Sequence, residues 1–208
     1  SCKPPGELDP TKLNLEKLPS IGAVQGSGVI SPYINQFVAF RGVVIGMHED
    51  RNSAGLIFHT LYVQDLPGQE DGDPATSDGI AVFTGKQKLD VTIGDDVLVI
   101  GRPIEYYGLT EITDEELDLR VLGNNATLPS AIELQPPTTS AEAATAYDEP
   151  LEGMLTHLGY APAKTVGATF MTQSSCGFAV VRQDSGIGRI YRRQASDSVA
   201  GIIPIMYH

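Results

Sequence analysis

Long hydrophobic runs are missing from this chain. The longest, such as "VLVI" at 97–100, are strand-sized and far short of the roughly 20 apolar residues a helix needs to cross a bilayer. No transmembrane segment is therefore predicted. Cysteine is nearly absent as well: Cys2 and Cys176 stand at opposite ends of the sequence. Such a pair excludes a local metal cluster and leaves a disulfide or two free thiols. Positive charge is scarce, with 14 Lys+Arg against 26 Asp+Glu and a net charge of −12. The imbalance is uneven, since residues 1–150 hold 9 basic against 23 acidic side chains and residues 151–208 hold 5 against 3. A chain of this sign repels phosphate, so any contact with nucleic acid has to be local, weak and salt-sensitive. A catalytic constellation is lacking too. His48, His59, His157 and His208 are scattered, Ser174-Ser175-Cys176 sits in no nucleophile motif, and "GIG" at 186–188 is too short for a nucleotide loop. The residues predict no active site within this chain, which reads as not an enzyme.

What is present is a globular composition, with 41% apolar and 19% charged residues over 208 positions, enough for a buried core in one or two domains. Residues 1–23 read as an extended N-terminal arm. From Phe37 onward, short apolar runs are cut by Gly and polar turns, which predicts strands at 36–47, 56–65, 79–84, 95–105, 109–113 and 117–122. Short strands without intervening helical periodicity predict an all-β class. Gly42, Gly46 and Gly101 fall inside strand patterns, as at the bends of a small barrel. The stretch "GDDVLVIGRPIEYYGLTEI" (94–112) reads as strand, tight turn and returning strand. Together these predict an OB-fold-like five-stranded Greek-key barrel over 24–122. The Pro-, Thr- and Ala-rich 123–150 reads as a linker with one short helical turn at 140–146. Residues 151–208 read as a second small β-domain, with strands at 151–158, 163–171, 177–184, 187–193 and 199–206. A weak echo of 40–46 in 151–157, and of 61–69 in 180–188, reads either as a true repeat, which would make this an incomplete second copy without the closing hairpin, or, since the spacings differ, as no repeat.

The blocks "VQGSGVISPYINQFVAFRGVVIG" (24–46), "LYVQD" (61–65), "TSDGIAVF" (76–83), "IGDDVLVIGRPIEYYGLTEI" (93–112) and "EPLEGMLTHL" (149–158) resemble, in their order, a region of known nucleases. That region precedes the catalytic domain in secreted bacterial nucleases of the endonuclease/exonuclease/phosphatase superfamily. The resemblance covers about 24–160. It implies an OB-fold-like domain, export to the extracellular space or the bacterial cell envelope, and a metal-dependent phosphodiesterase domain downstream as partner. Ala81 departs from the bulky residue the pattern favours after "DGI", and the catalytic motifs are absent. The implication is an accessory module, with no cofactor required for its own role.

Several residue groups are candidates for binding. OB-folds take oligonucleotides on the face of strands 2 and 3 and between the 1–2 and 4–5 loops, through aromatics and bases. The candidates there are Arg41, Lys86, Lys88, Arg102, Tyr106 and Tyr107, with Phe58 and Tyr62 read first as core. A second basic and aromatic group is Arg182, Arg189, Tyr191, Arg192 and Arg193, which reads either as a phosphate-tracking surface or as a charged hairpin edge. The acidic loop "QDLPGQEDGDPATSDGI" (64–80) offers Asp71, Asp73 and Asp78, with the Thr76 hydroxyl, as oxygen ligands for Ca²⁺. It lacks EF-hand spacing and reads equally as a solvated loop of turn-capping aspartates. Ser1-Cys2 reads as a lipoprotein cleavage remnant with Cys2 the lipid-anchored residue, or as a cloning scar or a disordered tail. The alternative to a nucleic-acid module is a structural or protein-interaction domain that touches no nucleic acid.

Overall fold

The computed structural model describes residues 13–137 and 142–159 in full, and the backbone of 141, 163–165, 170–171, 176–177 and 180–182. Its main body is a seven-stranded mixed sheet. The strands are β1 (Val38–Arg51), β2 (Ile57–Gln64), β3 (Gly79–Gly85), β4 (Asp96–Gly101), β5 (Pro103–Tyr106), β6 (Leu109–Ile112) and β7 (Asp118–Gly123). Their order is β5-β6-β3-β2-β1-β4-β7, antiparallel throughout except for the parallel pair β3 and β6. The expected strands are present within a few residues. Two differences have clear causes. The strand expected at 95–105 divides at Arg102 because Pro103 has no N–H to give the ladder. The first strand runs on through His48–Arg51, all exposed yet paired with β2. The chain is mostly β, with short helices added, and its ladder counts seven strands where five were expected.

Alternation explains the core. Phe40, Val44, Leu61, Val63, Val82 and Val99 alternate inward and bury completely or nearly so. Each removes a full apolar side chain from water, a gain of about 1.5–3 kcal/mol apiece before chain entropy. The opposite side of β1 and β4 carries Ala39, Leu98 and Ile100, covered by Leu13, Leu18 and Phe37. The N-terminal arm is therefore seated on the sheet over its described part, and it is not uniformly extended. It forms a 3-10 turn at Leu15–Lys17 and then α1 (Ile21–Gln25).

Local chemistry sets the limits of α1. The Ser20 hydroxyl accepts the Ala23 N–H at 3.0 Å, and Gly26, at φ 75°, ends the helix by donating to the Gly22 carbonyl. Ile21 and Val24, three apart, enter the core. Ile21 lies over Gly42 of β1, where a Cβ would meet the Gln64 carbonyl oxygen and Val63 at 2.7 Å and Ile21 at 2.9 Å.

The expected linker holds a two-residue strand, β8 (Ile132–Glu133), and a helix, α2 (Ala141–Asp148), followed by a 3-10 turn at Glu149–Leu151. The chain then returns along the sheet, and β9 (Thr156–His157) pairs in parallel with β8. Residues 151–157, expected at the start of a second domain, thus lie against the first. Beyond them, β10 (Ala163–Thr165) pairs with β13 (Val180–Arg182), and β11 (Phe170–Met171) with β12 (Cys176–Gly177), all antiparallel. The strands expected at 187–193 and 199–206 lie outside the described residues. No described helix is long and apolar enough to cross a membrane.

Candidate binding face

Because Leu61, Val63, Ile80 and Val82 point into the core, their neighbours along β2 and β3 point out. The outward set is Phe58, Thr60 and Tyr62 on β2, Ala81 and Phe83 on β3, His48 on β1 opposite Thr60, and Glu111 on β6 opposite Ala81. A β-bulge between β1 and β2 at Val44/Gly46 brings Gly46 opposite Tyr62, whose ring then lies over the glycine. Phe58 and Phe83 are half-buried and stack with centroids 6.1 Å apart and planes 22° apart. They form an aromatic platform at the end of the face nearest the 52–55 turn. Lys86 and Lys88 follow β3 at that end and are exposed.

The other end of the face is acidic and covered. Glu111 is 6% exposed, and burial, followed by the charge of Asp114, pushes its carboxyl up to about 7. Burial, followed by Glu111, also raises the Tyr62 phenol. Residues 149–155 lie across this end, with Gly153 seated directly on Gly79 and Ile80.

The expected bases divide into two groups. Arg41 gives a bidentate pair to Asp96, at 2.9 and 2.6 Å. Arg102 pairs with Glu116 and lies over the Phe37 ring, 4.2 Å from its centroid. Both guanidinium groups are therefore committed to acids of the same body, on β1 and at the β4–β5 break. Lys86 and Lys88 are the expected bases that stand exposed beside the aromatic pair. Of the second basic group, Arg189, Tyr191, Arg192 and Arg193 lie outside the described residues, as does the Arg182 side chain. Cys2 lies outside them too.

Tyr106 and Tyr107 form the tip of the β5–β6 hairpin, 56% and 94% exposed, in edge-to-face contact at 4.7 Å. Tyr107 and Gly108 both have positive φ, 53° and 84°, which is the type I′ turn that suits the twist of paired strands. The parallel pairing of β6 with β3 puts this tip at the end of the sheet where β3 begins.

The acidic loop comes together differently from the expected calcium set. Asp71 accepts the Asp73 N–H at 2.9 Å and the Thr76 hydroxyl at 3.0 and 3.1 Å, and Asp73 accepts the Ala75 N–H at 2.9 Å. Both thus act as turn caps. Asp73 stays exposed, while Asp71 and Asp78 approach a third acid of the same 65–78 loop, Asp65, which was not among the three expected ligands. Asp65 is 1% exposed and accepts the Ile21 N–H with both oxygens, at 3.0 and 2.9 Å, and the Gly22 N–H at 3.4 Å. Burial pushes its carboxyl up to about 7 against these hydrogen bonds, with Asp78 and Asp71 adding to the rise. Asp78 is likewise raised, by burial first, and its Oδ1 is buried without a hydrogen-bond partner. Among the described residues no group of three or more His, Cys, Asp or Glu side chains has metal-holding geometry. Polarity offered one signal for Asp65: a lone acid ending the apolar strand "LYVQD".

Compared with known protein families and with curated proteins, the chain matches none.

Proposed function

We propose that this chain is a non-catalytic, OB-fold-like accessory module of an exported nuclease-like protein, and that it helps to hold a nucleic-acid strand on the outer face of β2 and β3. Strand connectivity supports the fold part. Only Arg102 separates β4 from β5, and the Thr113 N–H bonds the Arg102 carbonyl at 3.1 Å, so β4 and β5 act as one bent strand. The sheet is an open one of order β5-β6-β3-β2-β1-β4-β7, and taking β4 and β5 as one strand gives it the strand neighbours of a five-stranded Greek-key barrel, which supports the reading. The observation that carries the function is the Phe58–Phe83 platform on that outer face, with Lys86 and Lys88 exposed at its end. Aromatic platforms take any base by stacking, and nearby ammonium groups track the phosphates. The resemblance of the sequence blocks to the nuclease region is what supports export and a catalytic neighbour.

Fluorescence anisotropy with a labelled single-stranded oligonucleotide at low salt tests this reading. The expected dissociation constant is about 1–100 μM, rising steeply with salt. Phe58→Ala should weaken it by about 5–100-fold, given that a stacked base contributes about 1–3 kcal/mol. No binding at about 100 μM protein, or a Phe58→Ala titration that overlays the wild type, refutes it.

A second reading, a protein-docking domain without nucleic-acid contact, is favoured by the pairing of Arg41 with Asp96 and Arg102 with Glu116. These pairs remove both arginines from a phosphate path. A blank titration with an intact fold selects it.

A further inference from the structure

We infer that residues 149–155 form a pH-sensitive strap, latched over the outer end of the β2-β3-β6 face by the Glu152 carboxyl and released when that carboxyl loses its proton. Hydrogen bonds and a glycine seat hold the strap, and the Ile132 N–H adds a bond to the Leu155 carbonyl at 3.0 Å. The Ser77 hydroxyl donates to the Glu152 carbonyl at 2.5 Å, and the Thr110 N–H donates to Glu152 Oε2 at 3.2 Å. The Leu155 N–H donates to Gln64 Oε1 at 2.9 Å. Gly153, at φ 70°, rests on Gly79, where a Cβ would stand 2.5 Å from the Gly153 carbonyl group. Two glycines therefore make the seat, one on each side.

The latch is built from like charges. Glu152 Oε2 also receives the Gln25 amide at 3.5 Å, and Gln25 has no charge to offer. Glu105 of β5 flanks the same threonine, its Oε1 accepting the Thr110 hydroxyl at 2.8 Å and the Ser31 N–H at 3.1 Å. Its Oε2 is buried without a hydrogen-bond partner. From the strap itself Glu149 faces Glu152, while Ser77 of the loop before β3 and Thr110 of β6 bring no charge. Burial first, then Glu149 and Glu105, push the Glu152 carboxyl up to about 7, from 4.5 in the open chain.

The sign follows from linkage. The docked strap holds a proton that the released strap gives up above its ordinary value, so docking is strongest below about pH 4.5, weakens as pH rises, and levels off above about pH 7. At acid pH the strap hides the far end of the face, and near neutrality the face lengthens toward Tyr62. This inference stands whatever ligand the face takes.

Amide hydrogen exchange of the full chain, corrected for intrinsic rate, tests it. Between pH 5 and pH 7 the protection of the Leu155 and Thr110 amides should fall by about tenfold per pH unit, while core amides such as Phe40 and Val99 keep theirs. In Glu152→Gln the protection of Leu155 should be flat with pH, and in Glu105→Gln its fall should level off at lower pH and leave more protection at neutral pH. A flat wild-type profile overturns the inference. Parallel loss at Leu155 and in the core, or an unchanged slope in Glu152→Gln, overturns it as well.

Discussion

Tyr107 is a large side chain in left-handed backbone, 94% exposed, at a turn position that glycine and asparagine fill with less strain. Its ring contacts only Tyr106 among the described aromatics, so its packing does little to offset the backbone cost. Tyr107→Asn should therefore raise stability by about 0.5–1 kcal/mol, read from the urea midpoint. A loss of stability would show that the tyrosine pair contributes more than the strain removes. Asp65 is the opposite case, a buried acid that the fold requires. Asp65→Ala leaves the Ile21 and Gly22 N–H groups without their acceptor and should cost about 1–3 kcal/mol. Its carboxyl titrates near 3.8 unfolded and about 7 folded. The folded state then keeps a proton that the unfolded chain has lost, and the contribution of Asp65 falls as pH rises from about 4 to about 7. Asp65→Asn should flatten that part of the profile, as urea unfolding at a series of pH values will show.

At the scale of elements, β1 carries the heaviest constraint, since it pairs with both β2 and β4 and lies beneath α1. Gly42→Ala would drive a methyl group into the Gln64 carbonyl and the Ile21 side chain. We expect a cost of about 1–3 kcal/mol, measurable by chemical unfolding. A neutral result would mean that α1 shifts freely on the sheet. The strands from β1 to β7 were legible because apolar alternation and Gly-bearing turns mark strands in any sequence. Elements without that signal were not. The tail of β1, His48–Arg51, is polar on both sides and is held by its pairing with β2, with Glu49 3.9 Å from the His59 ring. Helix α1 has five residues, too few for a period, and rests on a serine cap and the buried side chains of Ile21, Val24 and Gln25. The strap 149–155 lies in place through glycine contacts and long-range hydrogen bonds that no local pattern announces. The candidate face was half legible in the same way. The exposed tyrosine turn and Lys86 and Lys88 stand where expected, but Asp96, which lies 55 positions from Arg41, takes that arginine out of the reckoning.

For the whole molecule, the acidic excess and the buried acids act together. Asp65, Glu111 and Glu152 are each raised to about 7 by burial in the folded state. With three carboxyls of the same sign, the chain should be more stable at pH 5 than at pH 8, with an unchanged urea m-value. Equal midpoints at the two pH values would contradict this. Under the proposed function, the phosphate contact among the described residues falls at the aromatic pair with Lys86 and Lys88. The most direct measurement is an amide chemical-shift titration of the full chain with single-stranded oligonucleotide at low salt. The account predicts perturbations on β2 and β3 around Phe58, Thr60 and Phe83 and at Lys86 and Lys88, fading with added salt. Shifts that avoid those residues, or no shifts at protein-saturating oligonucleotide, would contradict it.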